Sequence, residues 1–357
     1  MKKNRSFSID FFKNLFSIHI FWSFDSVIGH RRAFDGFLSG IFFCKDCDPT
    51  VAAMPKKIDG FRRTPAPRCL AKNELGIIMQ GPWDARTSAL NARLVRKYFP
   101  HNPFVVSSWK KNEVSLRELQ DDLSVIWSED CGEPGIGNVN LQTYSTTVGI
   151  RWLENLGVKR VLKMRTDTLL ASIWALNFLD NILSQFSVET STRIVGIEAN
   201  RYIPYKFDDR LVFGDLEVIK DYFRPTRDCT YTQNLSSQAI IKGVPVCPET
   251  VLFSRFVEGN GHKANWTMLS WLECLQRYTV ITDSSALGFR WSKSPPWTQA
   301  STDLILSDKY SRNVSFAEWL ALFNSSESQL LEQASYGSQE YYETISPLGV
   351  RKCRIKT

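Results

Sequence analysis

Histidine is scarce in this chain, with four in 357 residues, and no Ser/His/Asp or Cys/His order stands out, which argues against hydrolysis by an activated nucleophile. No glycine-rich, basic phosphate loop follows the first predicted strand. Long hydrophobic runs are also missing. The longest apolar stretch, Leu15 to Phe24, is broken by Ser17, His19 and Ser23 and falls short of the roughly 20 residues a spanning helix needs. A small-residue cleavage site of the signal-peptide kind is not seen either. The eight cysteines lack the density of a stapled secreted scaffold, and Cys44 and Cys47 form a lone CxxC with no matching second pair. Reduced thiols in a cytosolic enzyme are the simplest account. The net charge of +7 is mild for this length. It fits a nucleotide, a polysaccharide or an anionic lipid surface, and is too weak to indicate nucleic acid without a basic motif.

The composition itself is that of an ordered globular protein, 43% hydrophobic and 23% charged. Residues 1–74 form an aromatic and basic N-terminal extension and linker, ending in a stretch that holds Pro49, Pro55, Pro65 and Pro67. Its amphipathic first part suits either a cap on the main domain or peripheral contact with a membrane interface. Residues 75–290 alternate strand and helix signals. Gly76 to Met79 reads as a buried strand, 86 to 98 as a helix, 104 to 109 as a second strand, 113 to 121 as a short helix and 123 to 127 as a third strand. A helix after Asn138 or Asn140 ends near Gly157, and Arg160 to Met164 is a fourth strand. A helix over Leu170 to Ser184, strands at 193 to 197 and 211 to 214, and helices at 216 to 223 and 248 to 258 complete the pattern. Such alternation predicts an α/β fold with a doubly wound, mostly parallel sheet flanked by helices. Residues 291–357 form a helical and irregular C-terminal extension with a helix near Phe316 to Phe323.

Chemistry concentrates where the fourth strand ends, in Val161-Leu-Lys-Met-Arg-Thr-Asp167. In open α/β sheets ligands bind past the carboxyl ends of the strands. By strand alternation Lys163, Arg165 and Asp167 share one side, provided the backbone stays extended. Asp167 is then a candidate ligand for magnesium or manganese, and Lys163 and Arg165 candidate phosphate contacts. Transfer of a sugar from a nucleotide donor is the natural chemistry of that set. Gln80 and Gly81, at the end of the first strand, are placed where a nucleotide approaches the backbone; an ordinary Gly-Pro turn is the plainer alternative. Asn138, Asn140 and Gln142 carry amides suited to ribose or sugar hydroxyls. Asp209, Asp208 and Glu249 are candidates for the base that takes the acceptor's proton, with Asp209 first because it directly precedes a strand.

Gly76-Ile-Ile-Met-Gln-Gly-Pro82, Phe99-Pro100 leading into Val105-Val-Ser-Ser-Trp109, Asn138-Val-Asn-Leu-Gln142, Lys163-Met-Arg-Thr-Asp167, Phe213-Gly214 and Pro248-Glu249 resemble, in collinear order, motifs of the WavE lipopolysaccharide-synthesis family. The resemblance implies a GT-A-like glycosyltransferase that uses a nucleotide-sugar donor and a glycan or lipid-linked glycan acceptor. It implies work in the cytoplasm, or peripherally at the inner membrane, on lipopolysaccharide or capsule. GT-A enzymes carry Asp-x-Asp at the end of the fourth strand, whereas this chain has Arg165-Thr166-Asp167, so Arg165 is expected to replace part of the cation's role. A sugar nucleotidyltransferase and a non-catalytic glycan-binding protein remain the alternatives.

Overall fold

Short apolar runs with no polar break build the centre of the molecule. The computed structural model describes residues 71–84, 87–109, 123–129, 131–187, 192–225, 246–291 and 313–335. The chain divides into two units at Pro67–Arg68, and all of these residues belong to the second. The N-terminal amphipathic segment, the CxxC pair and the short helix expected at 113 to 121 lie outside them.

Strands β1 (Leu75–Gln80), β2 (Phe104–Trp109), β3 (Ser124–Ser128) and β4 (Arg160–Arg165) are mutually parallel. Every residue of β1 and β2 is buried, as expected of strands covered on both faces. Helix α1 (Thr87–Tyr98) joins β1 to β2 and starts where the Asp84 carboxylate accepts the Thr87 N–H at 2.6 Å. Helix α2 (Val139–Asn155) joins β3 to β4 and ends just before Gly157. The spatial order is β3-β2-β1-β4, so the chain moves outward through α1 and returns through α2. Right-handed crossovers then put the two helices on opposite faces.

The other half of the seven-stranded sheet is mixed. Beyond β4 come β7 (Leu211–Asp215), β6 (Ile194–Gly196) and β8 (Thr279–Ile281), with β7 antiparallel to both neighbours and β6 parallel to β8. The fold is therefore α/β with a mostly parallel sheet and helices on both faces. Helix α3 (Ala175–Phe186) precedes β6, α4 (Leu216–Tyr222) follows β7, and α5 (Pro248–Gly259) and α6 (Met268–Tyr278) lead to β8. Helix α7 (Phe316–Phe323) is capped by a Ser315–Glu318 box and seats Trp319 against Phe186 at 4.9 Å between rings. Among the described residues no helix is long and apolar enough to cross a membrane.

Two departures from the sequence pattern matter. Leu170, expected to open a helix, instead ends strand β5 (Thr168–Leu170), which pairs antiparallel with β9 (Phe289–Trp291) in a separate ribbon, and the helix begins only at Ala175. Helix α6 had no counterpart in the sequence reading. At Gly196 the backbone approaches the Phe207 ring so closely that a Cβ would stand 2.3 Å from its Cζ.

Candidate active site

Because β7 runs backwards, its first residues meet the carboxyl ends of β1, β4 and β6 at one edge of the sheet. That edge gathers Gln80, Arg165, Asp167, Glu198, Asp208, Asp209 and Arg210. The register pairs Ile78 with Lys163 and Gln80 with Arg165, so Lys163 and Arg165 do share one side of the sheet. The strand ends at Arg165, and Asp167 lies in the turn that leads into β5.

Depth separates the two cations. Lys163 is 0% exposed; its Nζ donates to the Asp209 backbone carbonyl at 2.6 Å and lies 5.0 Å from the centre of the Phe223 ring. Burial drives its pKa down to about 8, against the opposing pull of the Asp209 charge. Expected to touch phosphate, this ammonium instead fixes the loop that carries Asp209. Arg165 is half-buried and forms a two-pronged pair with Asp167, Nε to Oδ1 at 2.9 Å and Nη2 to Oδ2 at 3.0 Å. Burial alone would lower its pKa, yet the Asp167 bond and the charge of Asp209 outweigh that and raise it. Its Nη1 makes no hydrogen bond to the described chain.

Asp167, the expected metal ligand, is already occupied. Both oxygens accept from Arg165, and Oδ2 also accepts from the Trp291 indole at 3.1 Å. Among the described residues no group of three His, Cys, Asp or Glu gathers to hold an ion. A carboxylate whose lone pairs already take three N–H bonds is a poor magnesium or manganese ligand, so the donor set does not fit the metal site expected from sequence.

The three acids expected to act as bases differ. Asp208 accepts from the Arg210 Nε at 2.9 Å on each oxygen and from the Arg210 backbone N–H at 3.0 Å. Arg210 also binds Glu198, and its guanidinium lies 4.8 Å from the centre of the Trp291 ring. Burial raises the Asp208 pKa; for Glu198, burial and the nearby Asp208 charge push it to about 7 against the pull of Arg210. Asp209 accepts from Gln142 Nε2 through Oδ2, and its Oδ1 makes no hydrogen bond to the described chain. Glu249 sits in the first turn of α5, and its charge joins burial in pushing the Cys247 thiol up to about 12.

The amide candidates disperse. Gln142 reaches Asp209, while Asn140 Nδ2 binds the Glu133 carbonyl at 3.1 Å. Asn138 is exposed, with a left-handed φ of 67° and no side-chain cap. Gln80 is buried and donates to Ser145 Oγ at 3.0 Å. Gly81 has a φ of 142°, and a Cβ there would stand 2.7 Å from Thr166 Oγ1, so the backbone is pressed against the β4 turn. Sequence reasoning passed over Glu198, Arg210 and Trp291. Glu198 was within reach of the same rule that found Asp167, since it follows an apolar strand at the same edge.

No protein-family model and no curated protein sequence matches the chain. Among solved structures, the chain is similar to the mannosyltransferase PcManGT from Pyrobaculum calidifontis, in complex with GDP-Man and Mn2+, at 12% identity, over 79% of each chain, with a TM-score of 0.32. A glycosyltransferase involved in glycosylation of the major capsid of PBCV-1 is similar at 10% identity, over 48% of this chain and 78% of that one, TM-score 0.29. The 4-diphosphocytidyl-2C-methyl-D-erythritol synthase from Anaerococcus prevotii is similar at 10% identity, over 46% and 83%, TM-score 0.30. Likenesses this loose assign no substrate and no chemistry to the chain.

Proposed function

We propose that the protein is a glycosyltransferase, GT-A-like in architecture, which moves a sugar from a nucleoside-diphosphate donor to a glycan or lipid-linked glycan of a bacterial surface. The observation that carries this is the Arg165–Asp167 fork at the carboxyl end of a central parallel strand, with Asp209 anchored beside it. The collinear motifs that resemble those of the WavE family support the same assignment and suggest lipopolysaccharide or capsule as the pathway. Peripheral contact with the inner membrane through the N-terminal segment belongs to the proposal as well.

Each group then has a task. Asp167 immobilises one edge of the Arg165 guanidinium, leaving Nη1 to bind the donor diphosphate as charge builds on it. The acceptor hydroxyl oxygen bonds to the anomeric carbon while the bond from that carbon to the diphosphate oxygen breaks, and the diphosphate leaves with the electron pair. Asp209 Oδ1 receives the hydroxyl proton. Asp208 is less suited, because Arg210 holds both of its oxygens. No step is assigned to a metal.

Calorimetric titration of the full chain with UDP, GDP, CDP and their sugars tests the assignment. Binding of one nucleoside diphosphate, lost in Arg165→Met and unchanged by chelator, is expected. Silence across the panel would instead favour a non-catalytic glycan-binding protein, and pyrophosphate release from a nucleoside triphosphate a nucleotidyltransferase.

A further inference from the structure

The α1 side of the same edge holds a cavity of about 220 Å³, lined by Asn91, Leu169, Arg290 and Trp291. Its walls are fixed from behind. Asn91 is 4% exposed and its Nδ2 donates to the Thr166 carbonyl at 3.2 Å, which settles the amide orientation and leaves Oδ1 without a partner on the described chain. Trp291 is held by its indole bond to Asp167 and by the Arg210 guanidinium against its ring. Leu169 and Arg290 are register partners in the β5–β9 ribbon, and Arg290 is exposed.

The lining has a definite chemistry. An amide oxygen accepts from a hydroxyl, an indole and a leucine cover the apolar face of a ring, and a guanidinium binds an anionic substituent. The volume is below the roughly 300–1,000 Å³ of a site for a drug-sized ligand, so it suits one ring rather than a chain of them. Trp291 links the cavity directly to Asp167, whereas a nucleobase is separated from its diphosphate by a ribose.

We propose that this cavity is a subsite for an acidic sugar, a pyranose bearing a carboxylate, with Asn91 accepting a ring hydroxyl, Leu169 and Trp291 covering the ring and Arg290 binding the carboxylate. The subsite deepens the transferase assignment and rests on it for its place beside the donor diphosphate. The test uses the full chain and the methyl glycosides of glucuronate, galacturonate and glucose, followed by saturation-transfer NMR and calorimetry. One of the two uronates should bind at least about tenfold tighter than the glucoside, and Arg290→Gln should abolish that preference. Arg290 is exposed, so the variant keeps its fold. Equal affinities, no binding of any glycoside, or a preference that survives Arg290→Gln overturns the subsite. A chain that binds a nucleoside diphosphate but no glycoside refutes the subsite alone; one that binds a uronoside but no nucleotide keeps the pocket and refutes the transfer. Displacement of the uronoside by the UDP-linked uronate, but not by UDP, makes the donor sugar its source. Simultaneous binding of the two makes it the acceptor.

Discussion

Lys163 and Arg165 stand two residues apart on one strand, on one side of the sheet, and their pKa values are shifted in opposite directions. The ammonium, sealed under Phe223, is pushed down to about 8, while the guanidinium at the strand end is raised by its carboxylate partners. Position along the strand thus decides which cation is sealed into the fold and which stays partly exposed at the strand end. A buried charge must be satisfied by the protein, and one at the edge keeps donors to spare.

Arg165→Met offers the strongest way to break that contrast. Nucleoside-diphosphate affinity should fall by about 100-fold or more, with little change in melting temperature for a side chain 29% exposed. An equal loss in Lys163→Met would erase the distinction. Asp167→Asn comes next: without the charge that orients Arg165, affinity in the same titration should drop about tenfold. A wild-type protein that loses binding on chelation would show that Asp167 holds an ion after all.

Lys163→Met should leave donor affinity intact and slow transfer by roughly tenfold, through the Asp209 carbonyl it releases. Stability near neutral pH should stay within about 1 kcal/mol, since an apolar side chain removes the burial cost of the ammonium but strands a carbonyl. Its pH dependence sharpens the comparison. With a folded pKa of about 8 below an ordinary 10.5, the folded state binds fewer protons in that window, so this residue's contribution to stability rises as pH climbs through it. Urea unfolding should show that rise in the wild type and not in Lys163→Met.

The smallest effect is expected at Glu198. Its pKa is raised from 4.5 to about 7, so its contribution to stability is full below the lower value and declines as pH rises to the upper one. Glu198→Gln should therefore gain on the wild type in urea midpoints between those values. The gain should be under about 1 kcal/mol, because 30% of the side chain remains exposed.

Much of the sheet was legible because its signals are local. The runs of β1, β2 and β4, Gly157 after α2 and Pro248 opening α5 each lie within one element. Alternation correctly put Lys163 and Arg165 on one side. It could not reveal depth, which depends on Phe223 arriving from another part of the chain. Nor could it find the ribbon, whose Trp291 meets Asp167 across 124 residues, or see that a carboxylate read as an ion ligand would be engaged by Arg165 two residues before it. The strands β5, β8 and β9, which the sequence reading missed, are three residues each, too short for a period to register.

The missing methyl at Gly196 reaches further than its own strand. Phe207 occupies the volume a side chain there would need, and Asp208 and Asp209 follow it directly in the chain. Even an alanine would push that ring outward and carry both acids with it. The spacing between the Asp209 carboxylate and the Arg165 guanidinium is thereby governed by an atom that is not present, on a strand that supplies neither group.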